Sequence, residues 1–482
     1  MKIGYRTTFV NSQFTTSHFH EFTIQMDIIC AISTPAGVGG IAVIRLSGTG
    51  AKEMAERFLF KGTSSAFEGI CNPRYATFCQ LRDGEELIDE VVATYFAGPH
   101  SYTGEDVVEI SCHGSIYIQQ RILRLFIDNG ARLAEPGEFT QRAFLNGRLD
   151  LSQAEAVADL IDSQSESAHR LAMSQMRGGY AKELETLRQQ LVDTAALLEL
   201  ELDFSDEDLE FVSRDRIRSS VEELKSRVES LVASFQMGNA IKNGIPVAIV
   251  GAPNVGKSTL LNRLLSEERA IVSDIPGTTR DTIEEQFVID GMMFRLVDTA
   301  GIRSTDDEIE NAGIERSKEA VCRAMIVLCV VDYTSIPLHH YTINEVANLM
   351  DLQTQKLIVV RNKIDVPSAH PEIHCAAGMP HLLEVSAKYG TGIDELKRLM
   401  ASQFQQFSNS NNSTITNLRH YEAMRRMLSA LDEVIKDLDA NLTPDLVVID
   451  LRDALYHLGT ITGKVTSDEI LSSVFSRFCI GK

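Results

Sequence analysis

The sequence predicts a multidomain α/β protein. It comprises an N-terminal α+β domain, an all-α helical domain discontinuous in sequence, and an inserted phosphate-loop domain of doubly wound α/β type. Three observations lead there. Up to about residue 145, short strand-like runs alternate with short helical segments. Helical spacing then takes over, stops near residue 243 and resumes after residue 405. Between those points lie a glycine-rich loop and three further motifs, each at the end of an apolar run. The expected divisions are an extension at 1–25, the α+β domain at 26–145, helices at 146–243, the nucleotide domain at 244–405 and further helices at 406–482.

Composition narrows the class. A chain of 482 residues, 44% hydrophobic and 23% charged, has ample material for packed cores. A net charge of −21 excludes a generic polyanion binder, so any nucleic-acid contact has to come from local basic patches. The eight cysteines are scattered without a C-x-x-C pair, which points to a reducing, cytoplasmic setting. No apolar stretch approaches the roughly 18 residues of a membrane span, so no membrane association is expected. Residues 1–25 are rich in Ser, Thr and Phe and lack the apolar core of a secretory signal. They read as a poorly ordered upstream extension with Met26 as the functional start. A transit peptide is the alternative, with Lys2 and Arg6 as its only strong cations.

In the first domain, strands are expected at 28–32, 40–46, 90–96 and 106–111, with helices at 51–58 and 116–129. Gly37-x-Gly39-x-x-Ala42 imitates a dinucleotide fingerprint. It fails because Ile41-Ala42-Val43-Ile44-Arg45-Leu46 continues as a strand where that fingerprint needs a helix. Helical spacing then appears at Ala154, Val157, Ala158 and Ile161, and at Ala168, Leu171 and Ala172. Further helices follow at 182–202 and 214–235. The acidic stretch 204–211 reads as a solvated connector rather than a metal site, and the polar run 408–413 as a linker.

The nucleotide domain is read from its strand ends. Ile245-Pro246-Val247-Ala248-Ile249-Val250 leads into Gly251-Ala252-Pro253-Asn254-Val255-Gly256-Lys257-Ser258-Thr259, which fits G-x-x-x-x-G-K-[ST]. Such a loop wraps backbone N–H groups around phosphate oxygens, Lys257 reaches the outer phosphates, and the Ser258 hydroxyl suits Mg²⁺. Asp298-Thr299-Ala300-Gly301 puts an acid beside that loop to hold Mg²⁺ through water, with Gly301 N–H for the γ-phosphate. Asn362-Lys363-Ile364-Asp365 closes another apolar run. The Asp365 carboxylate can accept from guanine N1–H and N2–H₂, a donor pair that adenine lacks. Asn362 ties this loop to the phosphate loop, and Ser386, Ala387 and Lys388 close the base pocket. Four motifs in this order predict a GTP site.

The pattern resembles the translation-factor-related GTPases. In that likeness Ser273-Asp274-Ile275-Pro276-Gly277-Thr278-Thr279 is the first switch, with Thr279 as Mg²⁺ and γ-phosphate sensor. Ile302 stands where Ras-like enzymes place a water-positioning Gln, and its side chain makes no hydrogen bond, so the catalytic group must come from elsewhere.

Three more stretches narrow the likeness: Thr103-Gly104-Glu105-Asp106-Val107-Val108-Glu109, the run from Pro136-Gly137-Glu138-Phe139-Thr140 through Arg148-Leu149-Asp150, and Phe478-Cys479-Ile480-Gly481-Lys482. With Gly277-Thr278-Thr279-Arg280-Asp281 they closely resemble the MnmE (TrmE) family of bacterial tRNA uridine-modifying GTPases, from about Met26 to Lys482. The resemblance implies a homodimer that works with a FAD-dependent partner of the MnmG (GidA) type. Together they would add a carboxymethylaminomethyl or aminomethyl group at C5 of the wobble uridine of certain tRNAs. It implies a folate-binding-like N-terminal domain that mediates dimerisation and takes a 5-formyltetrahydrofolate-type cofactor at Arg45, Glu109, Arg148 and Lys482. Position 148 commonly carries Lys in the family, and the Arg here changes the fork geometry while keeping the charge. It implies K⁺ beside the phosphates, on Asn254, Ser273, the Ile275 carbonyl and Thr278, and hydrolysis triggered by G-domain dimerisation with Glu310 as general base. It implies a required thiol at Cys479, as a nucleophile on uridine C6 or as a proton donor. Without the resemblance, Cys479 reads as a packed C-terminal thiol. Arg419, His420, Arg425 and Arg426 form either a basic face for tRNA or an ordinary exposed helix face.

Two other functions compete. A ribosome-assembly GTPase of the Era or Der type needs an RNA-binding module after the nucleotide domain, where this chain returns to helices. A folate-dependent aminomethyltransferase with a regulatory G domain differs by tRNA dependence.

Overall fold

The computed structural model describes residues 27–61, 72–203, 214–267, 285–297, 318–332, 339–366, 382–404 and 414–482. They fall into two compact units, one running up to Arg148 and including Glu469–Lys482, the other Leu149–Asp468. The fold class is the expected one.

The first unit is built on a seven-stranded sheet of β1 (Ile29–Ile32), β2 (Ile41–Ser47), β3 (Leu59–Phe60), β4 (Ala76–Asp83), β5 (Glu86–Phe96), β6 (Val107–His113) and β7 (Arg132–Leu133), in the order β3-β4-β5-β6-β2-β1-β7. All neighbours are antiparallel except β1 and β7. Alternation assigns the faces. Ala42, Ile44 and Leu46 of β2, with Val91 and Ala93 of β5, meet Met54 and Ala55 of helix Ala51–Glu56 and Ile122, Leu125 and Phe126 of helix Ile116–Asp128. On the opposite face Ile29 and Ala31 pack on Ala134 and on Phe139 of helix Glu138–Leu145. Phe78 and Val92, cross-strand partners farther along that face, remain 62% and 38% exposed. The strand Ile41–Ser47 stands where a dinucleotide fingerprint would need a helix, in keeping with its rejection.

Glu469–Lys482 belong to this unit, although the sequence division groups all of 406–482 with the helices. The reason is apolar and steric. Gly137 lies at φ 71°, and a Cβ there would stand 2.7 Å from Phe475 O and 3.0 Å from the Phe478 side chain. Pro136 then bridges to Ile480.

In the second unit, helices Gly179–Asp203, Arg214–Asn243, Leu418–Asp439 and Pro444–Thr462 share a core that includes Leu184, Leu191, Val221, Val228, Met427, Leu431, Leu451 and Leu458. The six-stranded sheet contains β8 (Ile245–Val250), β9 (Gln286–Ile289), β10 (Met292–Leu296), β11 (Ile326–Asp332), β12 (Lys356–Asn362) and β13 (Leu382–Glu384). Its order is β13-β12-β11-β8-β10-β9, parallel except for the β9–β10 hairpin. β8 and β11 are buried throughout, with apolar clusters on both faces, as central parallel strands require. Among the described residues no helix is long and apolar enough to cross a membrane.

The chain leaves the helices after Asn243 and returns at Thr414, and the two crossings meet. A Cβ on Gly238 would collide with Ile415 O. The helices Leu151–Asp162 and Glu166–Met176 fasten both crossings. Asp159 pairs with Lys242 at 2.6 Å, Gln175 donates to Thr414 O at 3.1 Å, and Ser167 N donates to Gly291 O at 3.0 Å. Glu155 does most. It accepts from Asn417 Nδ2 at 3.1 Å and Arg419 Nε at 3.0 Å, and it pairs with His420 Nε2 at 2.6 Å. Arg419 and His420 thus turn inward, with His420 3% exposed, and only Arg425 and Arg426 of that quartet face outward.

Burial pushes the Glu155 carboxyl up, but His420 and Arg419 together hold it down at about 2. A carboxyl held below its unfolded value stabilises the fold above that value and loses the effect as pH falls. Glu155 therefore contributes fully above about 4.5 and progressively less down to about 2. Glu155→Gln removes the carboxylate that Asn417, Arg419 and His420 share and takes the counter-charge from the Arg419 guanidinium. At pH 7 it should cost about 3 kcal/mol or more in urea unfolding and flatten the acid limb below pH 4.5. An unchanged urea midpoint would remove Glu155 from the fastening.

Candidate nucleotide and cofactor sites

The glycine-rich loop is shaped by close approach. Gly251, at φ 148°, lies so near the β11 backbone that a Cβ would collide with Val330 O, and at Gly256, φ 99°, a Cβ would collide with the Asn362 amide. Helix Lys257–Glu267 begins at the loop's end, so its free N–H groups and partial positive charge face the concavity. Lys257 Nζ spans the loop, donating to Gly251 O at 2.8 Å and Ala252 O at 2.9 Å, and burial pushes its pKa down. Val255 is buried, and Ser258 and Thr259 are exposed on the first helical turn.

The loop after β12 is tied to it by side chains. Asn362 donates from Nδ2 to Val255 O at 2.9 Å and accepts from Ala387 N at Oδ1, 3.0 Å. Lys363, at φ 66°, donates from Nζ to Asn254 O at 2.7 Å. Asp365 Oδ1 accepts from Ser386 Oγ at 2.6 Å. Arg263, on the helix after the phosphate loop, donates to Ala387 O at 3.3 Å and Lys388 O at 2.8 Å. Residues 254–259, 362–365 and 386–388 thus form one continuous surface at the strand ends. Ser273, Asp274, Ile275, Pro276, Gly277, Thr278, Thr279, Asp298, Thr299, Ala300, Gly301 and Glu310 lie outside the described residues, as do 1–25, 204–211 and 408–413.

On the first unit, Arg45 and Glu109 are cross-strand partners, joined through Nε at 3.0 Å and through the terminal nitrogen at 2.8 Å. The guanidinium lies over the rings of Tyr102 at 5.3 Å and Phe139 at 5.4 Å. Arg148 Cγ lies close beneath Gly104, 3.3 Å from where a Cβ would stand. The chain's last residues reach the end of β1. A Cβ at Gly481, φ 98°, would collide with Ile32 O, and Ser33 Oγ donates to Gly481 O at 3.1 Å. Ile32 pairs with Ile44, and its neighbour Ala31 pairs with Arg45, so Gly481 lies at the β1 end of the strand pair that carries Arg45. Cys479 is exposed, its carbonyl accepting from Gly137 N at 3.4 Å.

Sequence reasoning missed what holds the Thr103–Glu105 turn. Arg142, 7% exposed, pairs with Asp27 at 2.7 Å, Glu138 at 3.0 Å and Glu105 at 3.2 Å, and Glu105 also accepts from Ser47 Oγ at 2.8 Å. Burial pushes the Glu138 carboxyl up, but Arg132 and Arg142 hold it below its ordinary value. Glu105 and Arg142 lie inside the family-like stretches, yet nothing in their spacing marks them as partners.

Gly481→Ala forces a Cβ into the Ile32 carbonyl from a left-handed backbone. It should release the last residues and speed their removal by carboxypeptidase about tenfold, read by intact mass. An unchanged rate would show that the tail is held elsewhere.

Two family models match the chain. That of the MnmE helical domain covers residues 151–479, and that of the GTP-binding protein TrmE N-terminus covers residues 28–148. Among curated proteins, the tRNA modification GTPase MnmE of Porphyromonas gingivalis is 47% identical over 478 residues, covering 97% of this chain and 100% of the relative. Proteins of the same name from Christiangramia forsetii and Parabacteroides distasonis are 46% and 48% identical, each over 95% of this chain and 99% and 100% of their own lengths.

Proposed function

Because the chain belongs to the MnmE family of tRNA modification GTPases, we propose that it hydrolyses GTP as a step in modifying the wobble uridine of certain tRNAs, at C5, in the cytoplasm. The observation that carries the nucleotide part is the pair of hydrogen bonds made by the Asn362 amide, which donates to Val255 O and accepts from Ala387 N. It holds the phosphate loop and the Asp365 loop at one spacing, as a site that reads base and phosphates together must be held. Ser386 fixes one oxygen of Asp365, which orients the carboxylate toward the guanine N1–H and N2–H₂ pair. Lys257 exchanges its loop carbonyls for the outer phosphates, and the amides before the helix take phosphate oxygens.

Ser258, with Thr279, would hold Mg²⁺. Asn254, with Ser273, Ile275 and Thr278, would hold K⁺, supplying the charge that an arginine finger supplies in other GTPases. The neutral oxygen donors of that second set suit a monovalent cation. Glu310 is the proposed general base, brought into place when two G domains meet.

Arg45, Glu109, Arg148 and Lys482 would hold a 5-formyltetrahydrofolate-type cofactor, which supplies a one-carbon unit when bound. The fit rests on Arg45 and Glu109, a fixed donor and acceptor beside two aromatic rings, which suit a flat heterocycle with polar edges. Two copies associate through their N-terminal domains. A FAD-dependent protein of the MnmG type and tRNA complete the assembly, with Cys479 acting on the uridine.

Asp365→Asn should shift nucleotide preference from GTP toward xanthosine triphosphate by roughly tenfold or more, read by competition binding. Unchanged GTP affinity would sink the base-reading role. Cys479→Ser, as the sole copy in a cell, should abolish the wobble modification seen by mass spectrometry of tRNA while GTP hydrolysis continues. Modified uridine at the normal level would take Cys479 out of the chemistry.

A further inference from the structure

The end of β11 carries a carboxylate that belongs to none of the nucleotide motifs. Asp332 closes this buried strand and is itself 9% exposed. β11 lies between β8, which feeds the phosphate loop, and β12, which feeds the Asn362–Asp365 loop, and Asp332 is in register with Asn362. Its Oδ2 is 2.6 Å from Lys363 Nζ, and the same ammonium donates to Asn254 O at 2.7 Å.

Both residues at the ends of that bridge are strained. Asn254 at φ 62° and Lys363 at φ 66° are non-glycine residues in the left-handed region, a conformation that persists only where the surroundings impose it. The Lys363 side chain is the brace between them. A lysine ammonium is compact, strongly hydrated and mobile on its stem, so one carbonyl acceptor does not hold it against water. A carboxylate at 2.6 Å does, because a charge-assisted hydrogen bond in a partly buried site is about twice as strong as a neutral one.

We propose that Asp332 is a positioning residue of the nucleotide site. It pins Lys363 Nζ against Asn254 O, and so sets the backbone of the phosphate loop and the place from which the Asn254 side chain acts. The mechanical part stands on geometry alone, and its bearing on nucleotide binding rests on the GTP reading above.

Hydrogen exchange on the full-length protein separates the two. Asp332→Asn keeps the size of the side chain but removes its charge. It should raise amide exchange at residues 252 and 254–256 by about tenfold, while exchange in β8 and β11 stays at the wild-type level. In a Lys363→Met background the same change should add nothing to exchange at these loop amides, since Asp332 reaches them through that ammonium. Unchanged loop exchange, a uniform rise across the sheet, or an additive rise in the double variant would each overturn the proposal. Affinity for a fluorescent GDP analogue is measured alongside. A loss of about tenfold in Asp332→Asn is the expected result. Full affinity despite faster loop exchange overturns the role in binding. A wild-type protein that fails to bind the analogue removes the GTP reading and leaves the exchange result to decide the brace.

Discussion

An inserted domain imposes one constraint on its host: the two points where the chain leaves and returns must lie side by side. Here that constraint is met by backbone contact at Gly238 and Ile415 and secured by one buried carboxylate. Glu155 reaches Asn417, Arg419 and His420 across more than 260 positions of sequence, and Asp159, one turn on, holds Lys242 on the other crossing. Helices separated by the whole nucleotide domain can then share the core that runs from Leu184 to Leu458. The polar atoms of this network are almost all paired. His420 Nδ1 and the Tyr180 hydroxyl, on stacked rings, are buried without a partner.

Much of this was legible in sequence because it is periodic or local. Alternation gave β2, β5 and β6, helical spacing gave the helices on both sides of the insertion, and a glycine-rich loop between strand and helix gave the phosphate loop. The two-residue strands β3 and β7 escaped because they are too short to show a period. β4 escaped because Phe78 lies on an open face, so its apolar residues do not line up on one side. The destination of the last residues escaped for a different cause. It is decided by Gly137 and Gly481, whose missing side chains admit a distant backbone, and the absence of a side chain has no periodicity.

The site divides in the same way. Asn362 was expected to tie two loops and does so through hydrogen bonds at both ends of one amide. Arg419 and His420 look from their spacing like part of a basic face, but burial against Glu155 depends on a helix far away in sequence. Ion pairs such as Arg142 with Glu105, or Asp332 with Lys363, are long-range matches of charge. Each partner is commonplace alone, so only coordinates join them.

The placement of Glu469–Lys482 with the first unit sets an order of assembly in the cell. Residues of that sheet emerge from the ribosome early, but the strand end at Ile32 and Ser33 waits for Gly481 until all of Leu149–Asp468 has been made. At roughly 5–20 residues per second, that interval is on the order of tens of seconds. The exposed Cys479, within that segment, reaches the Gly137 backbone only after Leu149–Asp468 has been made. A chain cut short by premature termination would carry the sheet and the phosphate loop and still lack the segment that closes on the end of β1.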